Sequence, residues 1–378
     1  MSDEFDGLSL DALRERLVAI DRQLFSAVAE RDRLIRHVES RKARDAQPRF
    51  DRARERASFE RARRLAAELD LDPRLAEQVL EVVIAHAHRD ADAHRASLRS
   101  PEARKLLIVG GGGAMGQRFV QVFRARGHEV EVLEANDPRD RPSLIAAADV
   151  VMLAVPMALA EQLAAQVAPH VRPDALLCDI NSLKEAVCAT MAAACPGEVL
   201  GLHPMFGPTV GSFTGQKVVV CEVRAGRHAA WLVGELAHLG MECIHATPAE
   251  HDRMMSVVQV LMHFSTVVMG EALRRSGVQL EDSLRYTSPI YRLELAFVGR
   301  LFAQDPDLYA EIEMSNPRGD AVRLSFLRAA ADVAEMVHQG DRAAFRELFG
   351  RVSRWFHGFD DEAMRLSDMV IDRLVARP

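Results

Sequence analysis

LLIVGGGGAMG, residues 106–116, drives an apolar, β-branched run into four glycines and a fifth three residues on. Within it, Gly111-x-Gly113-x-x-Gly116 has the spacing of a dinucleotide-binding turn. The first glycine permits the tight bend, the second lets the backbone approach a pyrophosphate, and the third lets a helix pack on a strand. The flanks agree. LLIV reads as a buried strand, residues 115–127 (MGQRFVQVFRARG) as a helix closed by Gly127, and residues 129–134 (EVEVLE) as a second strand ending in Glu134, 18 residues past Gly116. An acidic side chain there holds a ribose 2'-hydroxyl and repels a 2'-phosphate, so the expected cofactor is NAD rather than NADP. The expected cofactor-binding residues are Gly111, Gly113, Ala114, Met115, Gly116 and Glu134, with Val155 and Pro156 after the next strand. A glycine turn with no ligand would share the spacing, but has no need of the acidic residue.

Downstream the α/β alternation continues. DVVMLAVP (149–156) reads as a strand, residues 157–171 as a helix, and ALLCDI (175–180), VLGLHP (199–204), KVVVCEV (217–223) and MECIHA (241–246) as short strands. In a doubly wound sheet the loops after the strands form the ligand crevice. Here they carry Val155-Pro156, Asn181-Ser182 and His203-Pro204. From about Pro248 the pattern is helical, punctuated by glycines at 270, 277, 299, 319, 340, 350 and 358. VVQVLMHFSTVVM (257–269) is too apolar to face water, which predicts a dimer core.

A length of 378 residues allows two or three domains. Residues 1–100 carry 20 basic and 20 acidic side chains, so the rest holds the whole formal charge of −7, and no part is a basic nucleic-acid binder. Five cysteines without CxxC spacing point to a reducing compartment and away from a disulfide scaffold or zinc site. The start, MSDEFDG, lacks a signal layout and no apolar run reaches spanning length, so a cytoplasmic protein with no membrane partner is expected.

The first hundred residues differ in kind. From Leu8 to Arg44 there is neither Gly nor Pro, and Leu10, Leu13, Leu17, Ile20, Leu24, Val28, Ile35 and Val38 form a helical stripe. Such a rod, roughly 50 Å long at 1.5 Å per residue, is too long to bury on two short helices at about 50–69 and 72–98, which predicts dimerisation. Arg31 and Lys42 continue the stripe, and Arg14 and Asp21 lie at its edge. Buried charges need partners or an anionic ligand. Lys42 is also the only lysine among the 20 basic residues of this segment. Snorkelling side chains in a coiled-coil module are the alternative. His86, His88 and His94 do not suggest a metal, because HxH on a helix points its side chains apart.

Residues 11–42, followed by PRFDRARE (48–55), resemble the all-helical chorismate mutases, whose dimers share long first helices. The resemblance implies that Arg14 reaches across from the partner chain and that Arg31 and Arg54 hold the two substrate carboxylates. Lys42 is implied at the breaking ether oxygen, Glu55 at the ring hydroxyl, and Asp51 in support. One departure stands out. Where the family carries Ser and then Gln or Glu, this chain has Ala87 and Ala91, with His88 and Asp92 one residue along.

GLHPMFGP (201–208), DINSLK (179–184) and SPIYRLELAFVGRLFAQDP (288–306) resemble bacterial prephenate dehydrogenases. That resemblance implies His203 as the base for the ring C4 hydroxyl, Ser182 orienting it, and Arg300 binding the ring carboxylate. Arg292, His251 and His263 lie in matching motifs, the last in a region that bears on tyrosine feedback, and Lys184 sits beside the nicotinamide loop. The order of the two segments matches the bifunctional T-proteins of tyrosine biosynthesis. The implied protein is a cytoplasmic homodimer acting on chorismate and prephenate, with an all-α mutase domain (1–100), a Rossmann NAD domain (103–248) and an all-α substrate-binding and dimerisation domain (249–378). Competing readings are an arogenate or 3-hydroxy-acid dehydrogenase, and a dehydrogenase whose first hundred residues only dimerise or regulate.

Overall fold

The computed structural model describes residues 5, 7–44 and 52–375; Asp51 lies outside them, as do the side chains of Lys42, Ala91 and Asp92. Two compact units divide the chain: 1–155, 163–180 and 190–246 form the first, and 156–162, 181–189 and 247–378 the second.

The first unit opens with three helices, α1 (Leu10–Arg44), α2 (Arg52–Glu68) and α3 (Pro73–Ser97). The turn after α2 is made without glycine. Asp70 takes the left-handed backbone, φ 54°, and the Asp72 carboxylate accepts the Arg74 N–H at 2.9 Å ahead of Pro73 at the start of α3. On α1, Leu10, Leu17, Ile20 and Leu24 are each at least half exposed, as expected of a rod too long for its own chain to cover.

The α/β part follows: β1 (Lys105–Val109), α4 (Ala114–Ala125), β2 (Glu129–Leu133), α5 (Arg141–Ala147), β3 (Val150–Leu153), α6 (Met157–Val167), β4 (Leu176–Asp179), α7 (Glu185–Ala194), β5 (Glu198–Pro204), β6 (Lys217–Arg224), α8 (Arg227–His238) and β7 (Glu242–His245). The strands form one sheet in the order β2-β1-β3-β4-β5-β6-β7. β1 to β5 run parallel, and the inner strands β1, β3 and β4 are almost wholly buried, as a sheet covered on both faces requires, whereas the edge strand β2 leaves Glu129 and Glu131 exposed. β6 departs from the expected doubly wound pattern by pairing antiparallel with β5. The segment 205–216 between them contains no helix, so there is no crossover to restore the strand direction. The strand order reverses at β1, which places the glycine turn at the topological switch point.

A buried polar knot ties the end of the mutase-like helices to this sheet. Arg126, the C-cap of α4, pairs with Glu235 of α8 at 2.9 and 3.0 Å and donates to the Leu98 carbonyl, while Ser100 donates to Glu235 at 2.9 Å. His128 lies 3.4 Å from the same carboxylate. Burial pushes the Glu235 carboxyl up, but the hydrogen bonds of His128, Arg126 and Ser100 outweigh it and hold the group down at about 2.

The second unit is dominated by helices: α9 (Pro248–Met255), a π-type stretch (Ser256–Leu261), α10 (Met262–Arg275), α11 (Leu280–Arg285), α12 (Pro289–Phe302), α13 (Pro306–Ser315), α14 (Gly319–Gln339), α15 (Arg342–Phe356) and α16 (Asp360–Val375). The glycines are not uniformly punctuation. Gly277, Gly340 and Gly358 take positive φ between helices, but Gly270, Gly299 and Gly350 lie inside α10, α12 and α15. At Gly270 an added Cβ would clash with the Phe302 ring, so its role is close helix packing. The run α9-π-α10 is a continuous 28 residues. It therefore reaches the length that sequence reading had denied to any apolar segment.

Candidate active sites

At the glycine turn the left-handed bend falls on Gly110, φ 78°, one residue before the glycine assigned to it. Gly110 also abuts the end of β3, where a Cβ would lie 2.5 Å from the Ala154 oxygen and 3.0 Å from Val155. Gly111 is needed for a different reason, because an added Cβ would lie 2.9 Å from the Val132 side chain of β2. Gly116 packs α4 onto the turn, where an added Cβ would lie 2.7 Å from the Gly110 carbonyl oxygen, as its position in the motif predicts. Gly113 is the N-cap of α4, with the exposed backbone and free space that a pyrophosphate needs. Ala114 and Met115 supply the first turn of that helix. Glu134, just past β2, accepts the Gly112 N–H at 2.6 Å and so stands against the glycine loop, where a ribose would follow the pyrophosphate. These residues fit a dinucleotide.

His203, only 4% exposed, is the penultimate residue of β5 and sits opposite Val219 of β6. Val155 closes the segment after β3 in this same unit, whereas Pro156 and Ser182 belong to the second unit.

In the second unit, residues 181–185 lead into α7. The buried Asp252 carboxylate accepts the N–H groups of Lys184 and Glu185 at 2.8 and 2.9 Å, and Nδ1 of His251 lies 2.7 Å away. Burial pushes the Asp252 carboxyl up, yet those hydrogen bonds win and its pKa is lowered. The Lys184 side chain is fully buried.

A cavity of about 500 Å³ in the same unit unites two expected site residues, His263 and Arg300, with Glu294, Gln304 and Tyr309. His263 packs edge-on against Tyr309 with ring centroids 5.0 Å apart, and burial lowers its pKa by disfavouring the charged ring. The Arg300 guanidinium makes no ion pair among the described residues, neither with Glu294 nor with Asp305. Arg292, an exposed residue of α12, does not line this cavity. Tyr309 was not singled out from the sequence, although it is one of only three tyrosines.

Among the mutase-like helices, Arg31 carries a buried Nη1 without a hydrogen-bond partner. Glu55 pairs with His88 at 2.8 Å, while Ala87 is buried. The third helix therefore presents His88 to the Glu55 side, one residue beyond the aligned Ala87. Arg14 is exposed and paired to Asp11 of its own helix at 3.2 Å, and Arg54 is exposed on α2.

Three family models match the chain: chorismate mutase type II over residues 13–89, the prephenate dehydrogenase nucleotide-binding domain over 124–234, and the prephenate dehydrogenase dimerization domain over 247–351. The T-protein of Enterobacter agglomerans is 37% identical over 92% of this chain and 93% of its own length. That of Haemophilus influenzae is 32% identical over 97% of each. Over 68% of its length the chain shares the fold of the Aquifex aeolicus prephenate dehydrogenase solved with hydroxyphenyl propionate and NAD+, at 18% identity and TM-score 0.55 and with 98% of that chain covered. Synechocystis arogenate dehydrogenase is comparable, at 20% identity and TM-score 0.53 over 68% of this chain and 99% of that one. With all three domain types in this order and full-length relatives on both sides of one-third identity, the chain belongs to the T-protein family, the bifunctional chorismate mutase/prephenate dehydrogenases of tyrosine biosynthesis.

Proposed function

We propose that residues 1–100, 103–248 and 249–378 divide the two reactions of this bifunctional enzyme, the first isomerising chorismate to prephenate and the other two oxidatively decarboxylating prephenate to 4-hydroxyphenylpyruvate. A pericyclic rearrangement needs no acid, base or nucleophile. It needs a diaxial conformer held by charges and stabilisation of the negative charge that develops on the ether oxygen. Arg31 and Arg54 hold the carboxylates, aided by Arg14 of a partner chain, and the unpartnered Nη1 of Arg31 supports that role. Lys42 serves the ether oxygen and Glu55 the ring hydroxyl, with Asp51 behind them. Lys42→Ala tests this: mutase turnover is expected to fall by roughly 100- to 1000-fold, as when a single oxyanion donor is lost, with the dimer intact. An unchanged mutase rate would remove the assignment.

For the second reaction, NAD+, held by Gly111, Gly113, Ala114, Met115, Gly116, Glu134, Val155 and Pro156, supplies the hydride acceptor when bound. His203 takes the proton of the C4 hydroxyl, Ser182 orients it, and Arg300 binds the ring carboxylate, with Arg292 and His263 contributing to substrate binding. Loss of CO2 follows because it makes the ring aromatic. The observation that carries this reading is the cavity whose wall holds both Arg300, which makes no ion pair among the described residues, and the partly buried ring of His263. Tyrosine, a product-like phenol with a carboxylate, acts as feedback inhibitor at the His263 region. The enzyme works in the cytoplasm, in keeping with five cysteines that form no disulfide among the described residues.

A further inference from the structure

The dehydrogenase reading uses Ser182, but leaves unexplained how the segment that carries it is held. Residues 181–185 are a turn followed by the start of α7, and a turn is the kind of element that moves. Here it is fixed from one point. The Asp252 carboxylate accepts both the Lys184 N–H at 2.8 Å, just before α7, and the Glu185 N–H at 2.9 Å, the first free donor of the helix, and places a negative charge at its positive end. Asp252 is itself constrained on every side. His251 Nδ1 lies 2.7 Å from its Oδ1, and Asn316 donates to its main-chain oxygen at 2.9 Å. Arg318, whose N–H donates to Asn316 at 2.9 Å, closes the ring by pairing with Glu185 at 2.5 and 3.1 Å. Asp252 is 2% exposed and lies on α9, outside the cavity around Arg300.

We infer that Asp252 is a positioning residue for the dehydrogenase reaction: through the Lys184 and Glu185 amides it fixes the Ser182–Lys184 turn in its reactive geometry, with His251, Asn316 and the Arg318–Glu185 pair as its support. It touches no reacting atom. The physical content is preorganisation, because a turn misplaced by about 1 Å costs on the order of 100-fold in rate. The charge matters as well as the shape. An isosteric amide offers one acceptor oxygen where two amides require two, and its NH2 faces a backbone N–H.

The inference rests on the reading of Ser182 and His203 as dehydrogenase residues, which His203→Asn tests separately in the same assay. The experiment uses the full-length enzyme carrying Asp252→Asn, with prephenate and NAD+ varied in turn and mutase turnover of the same preparation as the internal standard. The expected result is a dehydrogenase kcat about 10- to 100-fold lower, KM values for both substrates within about threefold, and an unchanged mutase rate. A purely structural role would lower both activities together or leave kcat per folded site intact, and either outcome overturns the inference. Should Asp252→Asn fold poorly, Arg318→Gln loosens the same ring from its half-exposed edge. It is expected to lower kcat severalfold at constant KM, and an unchanged kcat there also overturns the inference. If His203→Asn keeps full turnover, the site reading has failed instead, whatever Asp252→Asn does.

Discussion

Arg300 shows what single residues reveal and conceal. From sequence it is a cation in an apolar helix, with Glu294 and Asp305 near enough along the chain to be ion-pair partners. The structure pairs it with neither and places it in the wall of a cavity with His263. A charge-assisted hydrogen bond to a carboxylate contributes about 1.5–3 kcal/mol. Steady-state kinetics of Arg300→Gln should therefore show the KM for prephenate raised roughly 10- to 100-fold with the KM for NAD+ unchanged; an unaltered prephenate KM would take the carboxylate away from Arg300. The places of Gly116 and Glu134 were legible because the glycine motif fixes their spacing, whereas the role expected of His203 came only from the resemblance of its segment. Asp252 was not legible. Its partners are 64 to 68 positions away, and nothing in the dipeptide His251-Asp252 announces that the carboxylate caps a distant helix. His88 falls between these cases. It was visible as a substitute for the aligned Ala87, and its pairing with Glu55 at 2.8 Å shows which of the two faces α2.

Elements were read well where periodicity or glycine chemistry dictated them. β1 to β5, α4 and the long α1 lie where the apolar pattern put them, since a strand buried on both faces has few alternatives. The sense of β6 was not legible, because strand direction depends on what the connection does rather than on the strand's own residues. Neither was the shift of the left-handed bend to Gly110, since four consecutive glycines tolerate it equally. Gly116 has no such latitude. Its added Cβ would meet backbone at 2.7 and 2.8 Å, so Gly116→Ala should destabilise the protein by about 1–3 kcal/mol and weaken NAD+ binding, read by thermal melting with and without cofactor. A variant with unaltered melting and cofactor affinity would contradict the packing role. The knot of Arg126, His128 and Glu235 makes a pH prediction. The Glu235 carboxyl is held near 2 against an ordinary 4.5, so its stabilising contribution is complete above about pH 4.5 and is lost as pH falls toward 2. Melting curves of the native protein should fall over that window more steeply than those of Glu235→Gln; parallel curves would show that the carboxylate is not depressed.

At the scale of the molecule, the chain carries surfaces that it leaves uncovered. Leu10, Leu17, Ile20 and Leu24 on α1, and Val257, Val258, Met262 and Met269 in the second unit, are each about half exposed or more. The 28-residue run holding the second group is long and apolar enough to cross a membrane by composition alone, yet only 11% of its most apolar window is buried within the chain. It lies within the segment that matches a prephenate dehydrogenase dimerization domain, which supports a homodimer. The bifunctional order was legible from motifs at both ends, whereas the competence of the mutase half turns on Ala87 and His88. The decisive measurement supplies the purified full-length protein with chorismate and NAD+ and follows chorismate loss and NADH formation separately. The account predicts both, with NADH appearing after a lag as prephenate accumulates. NADH formation only when prephenate is added, with chorismate untouched, would contradict it and reduce the first hundred residues to an assembly module.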